Sequence, residues 1–230
     1  MKYSVLCPTR NRPQNLMRMV DSLDNTISDP NKIEYIFYVD LDDTVSLDVI
    51  RTFPRSWTIH APRIMFCQMF NELTRWAKND IFFMTGDDII MRTKDWDLIV
   101  EEEFAKVPDQ LLVVSSRDGI QNEKLATHSF IGKAWCETLG YLIPPIFPGD
   151  WADNWLTDVS RGIDRLVYKP EIFCEHMHPN VGKGMIDETY LHKFANTVKH
   201  RTEQAYHEQA MVTQREQDIQ KLKKYIQNHV

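Results

Sequence analysis

The sequence has few cysteines, and none of them are closely spaced. Its 230 residues include four, Cys7, Cys67, Cys136 and Cys174, and no CxxC pair occurs. This spacing excludes a disulfide-dense scaffold, and isolated cysteines of this kind are typical of reduced thiols. We therefore expect a cytoplasmic protein.

Long hydrophobic runs and an excess of positive charge are also absent. No apolar stretch approaches the roughly 20 residues that a membrane-spanning helix needs. The first residues, MKYSVLCPTRNRP, reach arginine and proline too early for a signal peptide. The formal net charge of −6 argues against a broad electrostatic grip on nucleic acid. We expect a soluble protein with no membrane span.

The apolar content, by contrast, is ample for a packed core. Hydrophobic residues make up 43% of the chain, with 11 Phe, 8 Tyr and 6 Trp, so a chain of this length can bury one sizeable core. Short β-rich runs alternate with segments whose apolar residues recur at helical spacing, which predicts a mostly parallel sheet with helices on both faces. The predicted strands are 2–7, 33–40, 56–61, 81–85, 111–115, 127–131 and 165–174, and the predicted helices are 13–25, 44–53, 64–79, 95–106, 133–140 and 152–161.

The end of the chain has a different character. Residues 198–230 are polar and charged and contain neither glycine nor proline. One narrow apolar stripe with a period of seven predicts a long helix that either docks on the preceding domain or pairs with another subunit as a homo-oligomer. We therefore divide the chain into a domain over 1–197 and a helical extension over 198–230. The stripe consists of Ala205, Val212, Ile219 and Ile226, whereas the second position that a coiled coil needs is held by Glu208, Arg215 and His229.

Charged and polar groups follow the strands of the predicted sheet. In open α/β sheets, ligands gather at the carboxyl ends of the strands, so we expect these groups to lie close together. Arginine, carboxylate and imidazole side chains together suit a nucleotide diphosphate bound through a divalent metal ion. The stretches are CPTRNRP (7–13), VDLDD (39–43), TGDD (85–88), DWADNW (150–155) and EHMHP (175–179).

In order and spacing, the motifs resemble those of GT-A-type glycosyltransferases of the large family-2-like group. The resemblance is carried by SVLCPTRNRP, YVDLDD, NDIFFMTGDDI and WADNWLTDVSRGIDRLVYKP, over about residues 1–180. It implies a GT-A fold, a mixed and mostly parallel sheet flanked by helices, here with a C-terminal helical extension. It also implies transfer of a sugar from a nucleotide-diphosphate sugar, expected to be a UDP-sugar, to an acceptor hydroxyl. GT-A folds support both inversion and retention, and we expect inversion.

The resemblance assigns one group of residues to the nucleotide. The loop after the first strand would cradle it, an acid at the end of the second strand would bind the base, and a basic residue would meet the phosphates. These residues are Pro8, Thr9, Arg10 and Arg12 for the loop, Asp40 for the base, and Arg63 for phosphate. The neighbouring Asp42 and Asp43 are equally suited to cap the next helix. Apart from the resemblance, the glycine-punctuated and basic stretch NVGKG (180–184) indicates a flexible loop that closes over the diphosphate, with Lys183 as the phosphate contact.

The same resemblance implies a Mn²⁺ or Mg²⁺ ion. Asp88 matches the last acid of the family's DxD-like motif, which binds the metal, and Asp87 lies beside it toward the sugar. The first acid of that motif is replaced by Gly86 here, so metal binding would depend more on a later histidine. His176 and His178 share one side of an extended segment, and we expect one of them to be a ligand.

A carboxylate is also needed as general base. In an inverting transfer it takes the proton of the acceptor hydroxyl as that oxygen attacks the anomeric carbon. Asp153 aligns with the acid that the family uses, although the usual preceding Glu is Ala152 here. Asp150 is the alternative, and both stay candidates.

Two other functions and two kinds of acceptor stay open. A non-catalytic module that binds a sugar nucleotide or a glycan would use the same pocket without turnover. A sugar-nucleotide pyrophosphorylase shares a related sheet but needs a glycine-rich first loop, and CPTRNRP has no glycine. Small enzymes of this group occur in polysaccharide pathways and in phage genomes, where some glycosylate modified DNA bases. The acceptor is thus a glycan or a modified nucleic acid base, in the host cytoplasm if a phage encodes the chain.

Overall fold

The computed structural model describes residues 1–147 and 150–229. The strands form one mixed sheet in the order β3-β2-β1-β4-β7-β6-β8-β5. Their bounds are β1 Tyr3–Thr9, β2 Ile33–Asp40, β3 Ser56–Ala61, β4 Ile81–Met84, β5 Ile89–Met91, β6 Val113–Arg117, β7 Ser129–Gly132 and β8 Leu166–His176. The helices are α1 Pro13–Asp24, α2 Thr44–Ile50, α3 Phe66–Trp76, α4 Trp96–Ala105, α5 Lys133–Leu139, α6 Ala152–Gly162, α7 Glu188–Lys199, α8 Thr202–His207 and α9 Gln209–His229.

The parallel half of the sheet aligns the ends of its strands. β1 pairs in parallel with β2 on one side and β4 on the other, and the register sets Thr9 opposite Val39 and Leu6 opposite Met84. β7 runs antiparallel to β4, so its start, next to His128, arrives at the edge where the parallel strands end. The loops predicted to carry the chemistry therefore meet at one edge of the sheet.

Both faces of the sheet are covered, as the unbroken apolar runs of β1, β2 and β4 predict. Alternate residues of β1 enter different cores: Leu6 packs with α3, α5 and α6, and Val5 packs with α1 and α4. The second core contains a cross-strand aromatic pair, Phe83 and Phe130, stacked with their ring centroids 4.3 Å apart. Edge-on and stacked aromatic pairs of this kind add to area burial by about 0.5–1.5 kcal/mol each.

The predicted elements agree with the structure apart from details at their ends, one strand and two helices: α7 and α8 were not predicted, and the long helix expected in the tail is α9, Gln209–His229. The second helix ends at Ile50 rather than at residue 53, and Asp43 caps it by accepting the backbone N–H of Ser46, so its capping role is confirmed. β5 was not predicted; it consists of three residues that pair with the end of β8. The predicted boundary between residues 197 and 198 falls within α7, and the division into two units stays a prediction.

The C-terminal helix docks on its own domain. Leu222 of α9 is fully buried in the core that α5 and α6 share, and Ile219 packs where a side chain at Gly162 would collide with it. Asp218, also buried, accepts a hydrogen bond from Tyr141. Pairing with another subunit stays a prediction. No helix among residues 1–147 and 150–229 has the length and apolar character to cross a membrane.

Candidate active site

A cavity of about 800 Å³ opens at the edge where β1, β2 and β4 end. The loops after these strands, the start of α6, the end of β8 and the inner face of α7 form its walls. All predicted site residues except Lys183 line it, namely Pro8, Thr9, Arg10, Arg12, Asp40, Arg63, Asp87, Asp88, Asp150, Asp153, His176 and His178. The shared edge of a parallel sheet explains this convergence, because residues far apart in sequence follow neighbouring strands.

Lys183, predicted to contact phosphate, lies outside the cavity lining. Its ammonium forms an ion pair with Glu175 at 2.7 Å, and Glu175 also pairs with Arg92 at 2.7 Å. A basic side chain of α7, Lys193, lines the cavity instead. The structure therefore does not bring Lys183 to the other predicted residues.

The adjacent acids of TGDD each have their own hydrogen-bond donors. Asp87 accepts hydrogen bonds from the Thr9 hydroxyl at 2.7 Å and from Arg12 at 3.0 Å. Asp88 accepts one from the Tyr190 hydroxyl and faces His176. Burial would raise the pKa of both carboxyl groups: it does so for Asp87, whereas His176 and Tyr190 bring the pKa of Asp88 below its ordinary value. These donors offset the repulsion between two adjacent charges.

His176 lies at the centre of an imidazole and carboxylate cluster. Its Nε2 is 3.5 Å from Asp88 Oδ2, and its Nδ1 is 4.0 Å from Asp118 Oδ2. His128 packs edge-on against it with ring centroids 4.6 Å apart. Burial would lower the pKa of His176, but the two carboxylates raise it to about 9; burial and the charge of His176 lower the pKa of His128 to about 3.

The donor set fits a divalent cation that takes further ligands from a phosphate. Among residues 1–147 and 150–229, no three His, Cys, Asp or Glu side chains are grouped closely enough to hold an ion by themselves. Mg²⁺ is commonly bound through one or two carboxylates together with substrate phosphates and waters, and Mn²⁺ favours the same oxygen donors. Asp88 supplies one carboxylate, and His176 faces it with an imidazole nitrogen; His178 lies edge-on to His176 at 5.0 Å.

The end of the cavity near β2 has an unsatisfied acceptor. Asp40 is 2% exposed, and its Oδ2 lies 2.9 Å from Arg10 and 3.5 Å from Arg63. Its Oδ1 is buried and has no hydrogen-bond partner among the described residues. Because a buried oxygen without a partner costs free energy, this atom is well suited to accept an N–H of a ligand.

The two candidate general bases differ in their surroundings. Asp150 is held by α7: Lys193 forms an ion pair with it at 2.8 Å, and the Thr197 hydroxyl donates to it at 2.8 Å. Asp153, in the first turn of α6, accepts a hydrogen bond from the backbone N–H of Asn154 at 3.1 Å. Burial raises the pKa of Asp153, and this effect outweighs the lowering by Lys193. Asp153 has fewer side-chain partners than Asp150.

The inner face of α7 completes the site. This face was not predicted from the sequence. Asp187, just before the helix, binds Arg12 at 2.6 Å, while the Tyr190 ring lies 4.6 Å from the Arg12 guanidinium. Tyr190 and Lys193 are three residues apart and thus share one face. Nothing in the local sequence distinguishes this face, because the residues it meets lie on other elements, as in Thr197 with Asp150, 47 positions apart, and Tyr190 with Asp88, 102 positions apart.

Asp118 and His128 were also missed, although a signal for the first was present. Asp118 directly follows β6, a strand parallel to β8, so the same strand-end argument that selected the other acids applies to it. His128 precedes an antiparallel strand, whose direction is not evident from sequence. Both line the cavity.

The sheet order and the cleft define the class of fold: the chain has the GT-A-type glycosyltransferase fold, as predicted. No protein-family model and no curated protein matches the sequence. Solved glycosyltransferase structures do match its architecture, and at their low sequence identities this likeness shows the fold.

Three of these structures illustrate the likeness. The mannosyltransferase PcManGT from Pyrobaculum calidifontis, in complex with GDP-Man and Mn²⁺, has a TM-score of 0.61 at 16% identity, covering 79% of this chain and 58% of that one. S. aureus TarS 1-349 with UDP has a TM-score of 0.61 at 12% identity, covering 76% and 59%. The same protein with UDP-GlcNAc has a TM-score of 0.61 at 10% identity, covering 95% and 70%. The chain thus spans 58% of the length of PcManGT.

Proposed function

We propose that the chain is a metal-dependent, inverting glycosyltransferase that transfers a sugar from a UDP-sugar to an acceptor hydroxyl. The proposal is supported by one cavity that brings together the residues predicted to bind the base, the phosphates and the metal and to accept a proton. The neighbours in complex with GDP-Man and Mn²⁺, UDP or UDP-GlcNAc support the donor class.

The donor would lie along the loops after β1, β2 and β4. Asp40 offers a buried acceptor to the base, while Arg10 and Arg63 lie beside it, within reach of a charged donor group. Asp88 and His176 would hold Mn²⁺ or Mg²⁺ together with the diphosphate. When bound, that ion supplies positive charge that stabilises the leaving diphosphate.

The acceptor would enter between the start of α3 and the start of α6. Met65, Phe66 and Phe70 line this side of the cavity, together with Asp153. An apolar wall beside a carboxylate suits the face of a sugar or a base. Asp153 accepts the proton of the acceptor hydroxyl while its oxygen attacks the anomeric carbon from the face opposite the diphosphate, which inverts the configuration. The acceptor is a glycan or a modified base of phage-type DNA.

Thermal unfolding with Mn²⁺ and a panel of UDP, GDP, CDP and dTDP tests the donor site. A ligand at 100 times its Kd stabilises the folded state by about 2.7 kcal/mol, which raises the midpoint by roughly 5–10 °C for a chain of this size. We expect a metal-dependent shift with UDP that is lost in Asp88→Asn. Asp164→Asn, at an exposed position remote from the cavity, serves as the matched control and keeps the shift.

Two results would contradict the proposal. No shift with any nucleotide, with or without Mn²⁺, excludes this donor class. A shift without any release of UDP from UDP-sugars and candidate acceptors favours the non-catalytic binding module instead.

We also infer that the protein acts in the cytoplasm, or in the host cytoplasm if a phage encodes it. All four cysteines are free, and Cys7, Cys67 and Cys174 are buried. Free, widely spaced thiols are typical of a reducing compartment.

A further inference from the structure

The turn after β6 holds one side chain unusually firmly. Asp118 is 1% exposed, and its Oδ1 accepts three backbone N–H groups, from Ile120 at 2.9 Å, Gln121 at 2.8 Å and Asn122 at 2.7 Å. Three donors on one oxygen fix the orientation of the whole carboxylate. Only Oδ1 of the carboxylate is used to stabilise the turn, so Oδ2 is available to accept a hydrogen bond from another group.

The second oxygen is buried and faces a histidine. Asp118 Oδ2 has no hydrogen-bond partner within the described part of the chain, and it lies 4.0 Å from Nδ1 of His176. This separation is beyond hydrogen-bond reach, so a hydrogen bond between the two requires the ring to turn toward Asp118. An unpartnered buried carboxylate oxygen costs free energy, so an N–H at Nδ1 is favoured.

The backbone already ties these two residues together. The N–H of His176 donates to the Asp118 carbonyl at 3.0 Å, and the N–H of Met177 donates to the Asp88 carbonyl at 2.7 Å. The imidazole is thus held between two carboxylates, with Nδ1 toward Asp118 and Nε2 toward Asp88. The edge-on ring of His128 limits rotation on a further side.

We propose that Asp118 is a positioning residue that keeps the proton of neutral His176 on Nδ1, so that the Nε2 lone pair faces Asp88 and the cation bound there. The proposal rests on the metal-dependent function proposed above. Histidines that bind metals commonly donate their other N–H to a carboxylate, and loss of that partner typically weakens metal binding 10–100-fold. Asp118 acts on the metal only through His176.

Asp118→Asn separates the two oxygens of the carboxylate. The asparagine Oδ1 can still accept the three backbone N–H groups, which directs its NH₂ group to the place of Oδ2. That group donates to Nδ1, moves the ring proton to Nε2 and blocks the lone pair. We expect roughly 10–100-fold weaker Mn²⁺ binding in a titration followed by the electron paramagnetic resonance of free Mn²⁺, with little change in the unfolding midpoint.

The second readout is the tautomer of His176, that is, which ring nitrogen carries the proton. Long-range ¹H–¹⁵N spectra of the metal-free protein give it, recorded over a pH series that extends to values at which the imidazole is neutral. We expect the Nδ1–H form in wild type and the Nε2–H form in Asp118→Asn. Asp109→Asn is the matched control. Asp109 is buried, its Oδ1 accepts the backbone N–H of Leu111 and its Oδ2 accepts a hydrogen bond from Arg165. Because Asp109 does not line the cavity, its substitution leaves both readouts unchanged.

The outcomes distinguish this proposal from the function on which it rests. An Nε2–H form in wild type, or equal Mn²⁺ affinity and an equal tautomer in Asp118→Asn, overturns the role of Asp118, whether or not the variant is stable. A wild type that has the expected tautomer but binds neither Mn²⁺ nor nucleotide overturns the metal-dependent function, and leaves the orienting contact established.

Discussion

The proposed chemistry of this cavity depends on single carboxylates, and Asp153 and Asp150 have different surroundings although they lie near each other. Asp150 is occupied by Lys193 and Thr197 of α7, whereas Asp153 is bound only weakly, by a backbone N–H. We expect Asp153→Asn to lower the rate of sugar transfer about 10²–10⁴-fold, the usual contribution of a general base. Asp150→Asn should lower it less than about tenfold. Initial rates of UDP release at saturating donor measure both.

The pH dependence of the same reaction identifies the base. Burial raises the pKa of Asp153, Lys193 lowers it and Asp150 raises it. A base must be ionised, so transfer falls as the pH drops through this raised pKa. Asp150→Asn removes a negative neighbour and moves the acidic limb to lower pH, while Lys193→Met moves it to higher pH. An acidic limb that stays in place in both variants, or a larger rate loss in Asp150→Asn, would contradict the assignment.

At the scale of elements, α7 stands out because its side chains bind residues that would also bind the donor and the cation. The Tyr190 hydroxyl donates to Asp88, and burial and Asp88 raise the pKa of Tyr190, so it stays a donor at neutral pH. Tyr190→Phe keeps the ring against Arg12 and His178 and removes only the hydroxyl. A hydrogen bond to a charged group contributes about 1.5–3 kcal/mol. A metal ion that binds Asp88 would have to displace part of this interaction.

We therefore expect Tyr190→Phe to bind Mn²⁺ several-fold more tightly than wild type in calorimetric titrations. Tyr168→Phe, half-buried and outside the cavity lining, controls for the loss of a tyrosine hydroxyl. Weaker binding in Tyr190→Phe would instead mean that the hydroxyl helps to hold the metal or the ligands around it.

Elements whose signal is local could be predicted, and those that depend on distant partners could not. β1, β2 and β4 are apolar runs ended by turn residues, so their ends, and with them Arg12, Asp40 and Asp88, follow from sequence alone. β5 has three residues and exists because it pairs with β8, more than 80 positions later. The role of the inner face of α7 likewise depends on distant loops that fold beside it. The local sequence therefore did not indicate that Lys193, rather than Lys183, lines the cavity.

At the scale of the whole molecule, we expect the free energy of unfolding to depend on α9, because this helix packs on α5 and α6. The proposed base lies in the first turn of α6. Leu222 of α9 is fully buried. Leu222→Ala removes its contacts and leaves a void, so the free energy of unfolding should fall by about 2–5 kcal/mol and the midpoint by roughly 5–15 °C. Since the helix docks within its own chain, this loss should not depend on protein concentration. Lys223→Ala, exposed on the same helix, should unfold like wild type. Unfolding midpoints at protein concentrations a hundredfold apart measure the difference, and a loss that grows on dilution would show that α9 is covered by a second subunit instead.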